Sequence, residues 1–250
     1  VRADAGVTTD ASGNVSAWTD QSAQHNDLGQ TVDTARPHLA ANEVNSLPVL
    51  RFDGSDDYVR FTSRLTTIRT VFWVLKESDE ATTASHHFLL GDDSSWDFHA
   101  GDTQMWIAAY GNPAIWRDGS TWINGTPVDG TTTARPHAMS VVSLVTGGPV
   151  SAQTFSKERI YGQWWGDLAE LIIYDRPLSP AERASVEAYL LVKYQIGGAV
   201  TRPQISPSGG LFTDSVAVSV TTATPDAEIR YTTDRSEPTS SSTLYTDPVT

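Results

Sequence analysis

The chain has 250 residues, 39% of them hydrophobic and 19% charged, enough for one large β domain or a domain plus a small module with ample core. Its 17 basic against 30 acidic residues leave a formal charge of −13, a surface that repels phosphate backbones and makes nucleic acid and anionic membranes poor partners. Without cysteine there is no disulfide framework, thiolate-held metal or thiol nucleophile, and no apolar run approaches the ~20 residues that span a bilayer.

In chain order, Val1 stands where an unprocessed chain carries Met, as removal of a leader would leave it. From Leu47 to Tyr174, short β-branched and aromatic runs alternate with Gly, Pro, Asn and Asp, the pattern of strands and turns. Leu47-Pro-Val-Leu-Arg-Phe-Asp-Gly-Ser-Asp-Asp-Tyr-Val59 carries turn chemistry at Phe52-Asp-Gly. Thr70–Leu75 is apolar after its first residue, which predicts a central strand covered on both faces. His86-His87 reads as a polar loop entering a Phe88–Leu90 strand, because zinc needs convergent ligands and adjacent strand residues diverge. Asn124-Gly125 signals a hairpin, and Met139–Val145 and Leu168–Tyr174 read as core strands. Strands do not alternate with helices, so the sheet is expected to be antiparallel.

One helix is predicted. Ser179-Pro-Ala-Glu182 is a capping box with proline at the first helical position, Val186, Tyr189, Leu190 and Tyr194 recur at helical spacing, and Gly197-Gly198 ends the segment. Residues 199–203 form a linker. Beyond it, composition shifts to Ser, Thr and Pro, with strand-like phrases at Val216–Val220, Ile229–Asp234 and Glu237–Tyr245.

The Leu47–Val59 phrase and Trp165-Gly-Asp-Leu-Ala-Glu-Leu-Ile-Ile-Tyr-Asp-Arg-Pro-Leu-Ser-Pro-Ala-Glu182 together resemble the core strands of a laminin-G-like, concanavalin A-like jelly roll. The phrases from Pro203 onward resemble the Ig-like module at the C-terminus of chitobiases and β-hexosaminidases, with Arg235 where that family usually has glycine. The resemblance implies an all-β chain: an antiparallel jelly-roll sandwich with one helix over 1–198, a linker at 199–203, and a small, incomplete Ig-like sandwich over 204–250. It also makes Trp18, in Trp18-Thr-Asp-Gln-Ser22, structural. In both families further strands normally precede or follow the phrases present here, so both domains look cut.

Catalysis finds little footing. A glycosidase needs two carboxylates across the scissile bond, which a strand supplies at i and i+2, whereas Asp167 and Glu170, three apart, are expected on opposite faces. No Gly-x-Ser-x-Gly elbow exposes a serine. Calcium suits the oxygen-rich turn Asp53, Asp56, Asp57, with Asp92, Asp93 and Asp97 in a second turn, although aspartates also populate turns by capping their own backbone.

Eight tryptophans are the remaining signal. Trp73 lies in the apolar strand and reads as core. Trp96, Trp106, Trp116 and Trp164, with Asp97, Gln104, Asn112 and Gln163, are the candidates for a sugar platform, since sugar C–H faces stack on indoles while amides and carboxylates take the hydroxyls. The competing reading is that these rings fill the core. Thr-Ala-Arg-Pro-His occurs at Thr34–His38 and Thr133–His137 and reads as a strand-entry turn each time, and Asn14 and Asn124 fit the glycosylation pattern.

The resemblance implies a non-catalytic carbohydrate-binding or adhesive module pair, part of a larger secreted or surface protein of bacterial type, whose partner is a glycan or other extracellular polymer. The alternative is a structural subunit of an extracellular fibre, in which a strand donated by another copy pairs with an open edge.

Overall fold

In the computed structural model, which describes residues 1–81, 87–159, 163–198, 203–210, 213–222, 227–239 and 241–249, the chain divides into two units, Val1–Gly197 and Gly198–Thr250. The fold is nearly all β, as the strand-and-turn composition predicts.

The first unit contains β1 (Val7–Thr9), β2 (Val15–Trp18), β3 (Leu28–Gly29), β4 (His38–Val44), β5 (Leu47–Asp53), β6 (Val59–Glu77), β7 (Ser120–Ile123), β8 (Thr126–Val128), β9 (Ser140–Phe155) and β10 (Trp165–Tyr174). They form one antiparallel sheet in the order β1-β2-β3-β6-β10-β5-β4, with β9 along the opposite edge of β6 and β7 and β8 beyond it. Irregularities in the β6–β9 register between Arg60 and Thr70 bend both long strands, so the sheet curls into a near-barrel.

Thr70–Leu75 lies at the centre, as its apolar run predicts. Val71, Trp73 and Leu75 enter the interior core, while Phe72 and Val74 point to the outer face and meet a second cluster. That outer face is covered by the predicted helix, α2 (Pro180–Lys193); a short helix, α1 (Pro113–Trp116), lies earlier in the chain. Both capping-box bonds of Ser179 and Glu182 are present. Leu190 and Tyr194 are buried against Phe72, Val74 and Ala169, with Val186 packed beside them. Tyr189, expected in the same stripe, is instead exposed. A fully buried leucine such as Leu190 stabilises the packing by about 1.5–3 kcal/mol.

Two further expectations need correction. Phe88–Leu90 is buried but is not a strand, and His86 lies outside the described residues. Asp167 and Glu170 do not point to opposite faces: the register shifts between Leu168 and Glu170, and the inserted residue brings both carboxylates to the helix side. Asp167 meets Arg51 and Lys76 there, and Glu170 meets Lys193 and Tyr194.

The hairpin at Asn124-Gly125 joins β7 to β8 through two residues with φ of 50° and 78°, the geometry that favours this pair. The Asn124 side chain accepts from the Val141 amide and donates to Ser140, so it is engaged rather than presented for modification.

In the second unit β11 (Gln204–Ser206) pairs with β12 (Ser219–Thr221), and β13 (Arg230–Tyr231) with β14 (Thr243–Leu244), all antiparallel. The strands are shorter than the sequence phrases suggest. The Val220 amide donates to the Tyr245 hydroxyl at 3.0 Å, and Val218 and Val249 form a bridge, which ties the two ribbons together.

Candidate functional site

The long connection from β6 to β7 carries most of the predicted site residues, and a buried ionic network holds its middle. Arg135 donates through Nε to Glu77 at 2.7 Å and through its remaining nitrogens to the carbonyls of Gly101, Asp102 and Gln104. His87 Nδ1 lies 2.6 Å from the same Glu77 carboxylate. Burial pushes the Glu77 carboxyl up, but its contacts with His87 and Arg135 outweigh that, and it sits below the usual carboxylate range. The second Thr-Ala-Arg-Pro-His phrase thus supplies the arginine that pins this loop. The first acts similarly: Arg36 pairs with Asp33 and donates to the Gln30 carbonyl, and Pro37, like Pro136, offers its carbonyl to a strand amide.

The predicted platform separates into three groups. Trp106 and Trp164 are 2% and 0% exposed and belong to the interior, a correction to their assignment as ligand-binding rings. Trp106 donates to Thr121 Oγ1 at 3.0 Å and packs on Trp73 and Phe98, whereas Trp164 meets His87 and Phe155 edge-on. Trp116 is half-buried at the end of α1, where its Nε1 donates to the Gly111 carbonyl. Only Trp96 reaches a surface cluster. Its ring stacks on His99 at 4.9 Å, lies 6.0 Å from Tyr110, and carries the Arg159 guanidinium 4.5 Å above it.

The polar candidates are half-buried and partly engaged. Asp97 accepts from the Asn112 side chain at 2.9 Å and from the Ser151 amide at 2.6 Å, while Asn112 caps α1 by accepting from Ala114. They bind each other and the backbone, which fixes the loop under Trp96 rather than presenting free hydroxyl-binding groups. Gln104 lies beside Gly101 in the loop gripped by Arg135, and Gln163 is half-exposed next to Trp164.

Sequence reasoning missed Tyr110 and Arg159. Tyr110 is 64% exposed, the most open large hydrophobic side chain described. Its place before Gly111-Asn112-Pro113, a turn phrase, was the available signal. No sequence pattern singled out Arg159, which comes to Trp96 from the loop after β9.

The turn between β5 and β6 gathers the predicted calcium ligands: Asp53, Asp56 and Asp57 each offer an oxygen, all within 4.8 Å of one another. Calcium, with oxygens ~2.3–2.6 Å from the ion, suits such a set. Asp57 is 6% exposed and accepts from the Asp53 amide at 3.0 Å, while Asp53 and Asp56 face solvent. Burial, with the Asp53 and Asp56 charges beside it, pushes the Asp57 carboxyl up to about 7. The second aspartate turn does not converge. Asp92 bonds Arg64 and the amides of Ser94 and Ser95, Asp93 bonds Arg60, and Asp97 is engaged as described.

Asp167 and Glu170 share a face but are bound by cations. Arg51 grips Asp167 through Nε and Nη2 at 2.7 and 3.0 Å, and Lys193 and the Tyr194 hydroxyl hold Glu170 at 2.8 and 2.9 Å. Burial and the adjacent Glu170 raise the Tyr194 phenol far above its ordinary range, keeping it a donor.

Residues 207–250 match the family described as the chitobiase/beta-hexosaminidase C-terminal domain, which supports the Ig-like reading of the C-terminal module. No family match covers the first unit, so the laminin-G-like resemblance there rests on its own phrases. No curated protein and no solved structure matches the chain.

Proposed function

We propose that the chain is a non-catalytic carbohydrate-binding or adhesive module pair belonging to a larger secreted or surface protein. The observation that carries the reading is the surface cluster of Tyr110 and Trp96, an open phenol ring beside an indole on a loop pinned from below by Arg135. A pyranose stacks on such a ring with its C–H face, and a rigid base lowers the ordering cost of binding. The C-terminal match supports a carbohydrate-related setting. Support for the non-catalytic part comes from Asp167 and Glu170, whose carboxylates are held in ion pairs by Arg51 and Lys193. Calcium at Asp53, Asp56 and Asp57 belongs to the same proposal as a structural ion.

Affinity gel electrophoresis in soluble polysaccharides tests the reading. Tyr110→Ala should abolish retardation of the wild-type chain and leave its melting temperature unchanged, while Trp116→Ala, at a half-buried ring, should act chiefly on stability. Equal migration of wild type and Tyr110→Ala in every polymer that retards the wild type sinks it.

A further inference from the structure

We infer that the glycan taken at the Tyr110–Trp96 surface carries a carboxylate, a uronic acid, and that Arg159 reads it; this rests on the carbohydrate-binding reading above. The argument starts from charge pairing. In a chain of net charge −13, arginines find acids readily: Arg36, Arg51, Arg60, Arg64, Arg135 and Arg176 each lie within 3 Å of a carboxylate oxygen. Arg159 is exposed and has no carboxylate partner among the described residues. It rests instead on Trp96, with its Cζ 4.5 Å from the ring centroid. Two residues earlier Lys157 does the same over Tyr58 at 4.3 Å, also without an acid among the described residues. The acid between them, Glu158, is buried and turned to His99 Nδ1 at 3.2 Å. The loop after β9 therefore presents two cations and withdraws the intervening anion.

A guanidinium lying on an indole keeps its charge and its fork of N–H donors, and the fork matches a carboxylate with two parallel bonds. Trp96 already carries His99 and Arg159, so the ring left to stack on a sugar is that of Tyr110, 6.0 Å away. A uronic acid has both parts: a C–H face for the phenol and a planar anion for the fork. The overall negative charge opposes polyanions at long range, but at physiological salt it is screened beyond ~8 Å, and the local pair decides.

Affinity electrophoresis at 0.15 M salt, run in uronate polymers and in the same polymers after carboxyl reduction, tests the inference. The wild type should bind the acidic form about tenfold or more tightly than the reduced form, and Arg159→Gln should bring the two together while melting like the wild type. Equal, Tyr110-dependent binding of acidic and reduced polymers overturns the carboxylate inference and leaves the carbohydrate reading standing. Unchanged acidic preference in Arg159→Gln overturns the role of Arg159. Failure of every polymer, acidic or neutral, to retard the wild type defeats the carbohydrate reading and this inference together.

Discussion

At the scale of single residues, Asp57 is a carboxyl whose ionisation opposes folding. Its carboxyl is pushed to about 7 in the folded chain by burial and by Asp53 and Asp56, against 3.8 as the ordinary value. A raised carboxyl pKa means that the protonated form favours the fold, so this contribution is complete below pH 3.8 and is lost as pH rises through 7. Asp57→Asn should therefore raise the melting temperature at pH 8, by about 2–4 °C for each kcal/mol recovered, and have little effect at pH 4. The amide oxygen of asparagine still accepts from the Asp53 amide, so the comparison isolates charge. Calcium should raise the wild-type melt at pH 8 and leave Asp57→Asn nearly unmoved. A melt indifferent to calcium in both forms removes the ion from the proposal. The tryptophans teach a related lesson about what a residue's neighbours in sequence reveal. Trp164 follows Gln163 and Trp106 stands two after Gln104, yet both indoles are buried, because in a loop the direction of each side chain is set by the core it packs against and not by its sequence neighbours. Tyr110, flanked by turn residues on one side only, is the ring that solvent reaches.

At the scale of elements, what was legible was what local chemistry decides. The Ser179–Glu182 capping box, the Asn124-Gly125 turn and the unbroken apolar run of Thr70–Leu75 each state their own conformation, and each is present. The bulge between Leu168 and Glu170 was not legible, because it arises from matching β10 to β5, Val1–Ala3 and β6 at once. It changes the chemistry of the strand by moving Asp167 and Glu170 to one side. The extent of β6 was hidden similarly: its first half mixes polar and apolar residues without an unbroken apolar run, and pairing with β9 makes it a strand. The cap gives the test at this scale. Ser179→Ala removes the acceptor for the Glu182 amide and should cost about 1 kcal/mol, since four N–H groups at a helix start lack intrahelical partners. Arg176 and the Ser179 groups hold the Glu182 carboxyl down at about 2, so the wild-type cap persists as pH falls below 4.5 and fails only on approach to 2. Chemical denaturation at pH 7 and pH 3 should give the same penalty for Ser179→Ala; a penalty that vanishes at pH 3 would place the cap's strength elsewhere.

At the scale of the whole molecule, the two units differ in how they are held. Buried hydrophobic side chains run from Ala3 to Ile196, and among the described residues of the second unit none is fully buried. Ile205 and Leu244, the apolar residues of β11 and β14, are 56% and 43% exposed. Strand pairs of two or three residues with open faces have little apolar burial to offset the conformational entropy of ordering them. Local opening free energy follows buried apolar contact, so amide exchange should separate the units. Amides of β6, β9 and β10 should exchange only through global unfolding and slow together when the fold is stabilised, as by Asp57→Asn at pH 8. Amides of β11 to β14 should exchange orders of magnitude faster and ignore that stabilisation. Hydrogen–deuterium exchange with peptide-level mass spectrometry reads both groups in one experiment. If Val220, whose amide donates to Tyr245, is as protected as Trp73 at the centre of β6, the second unit has a source of stability that its burial does not reveal.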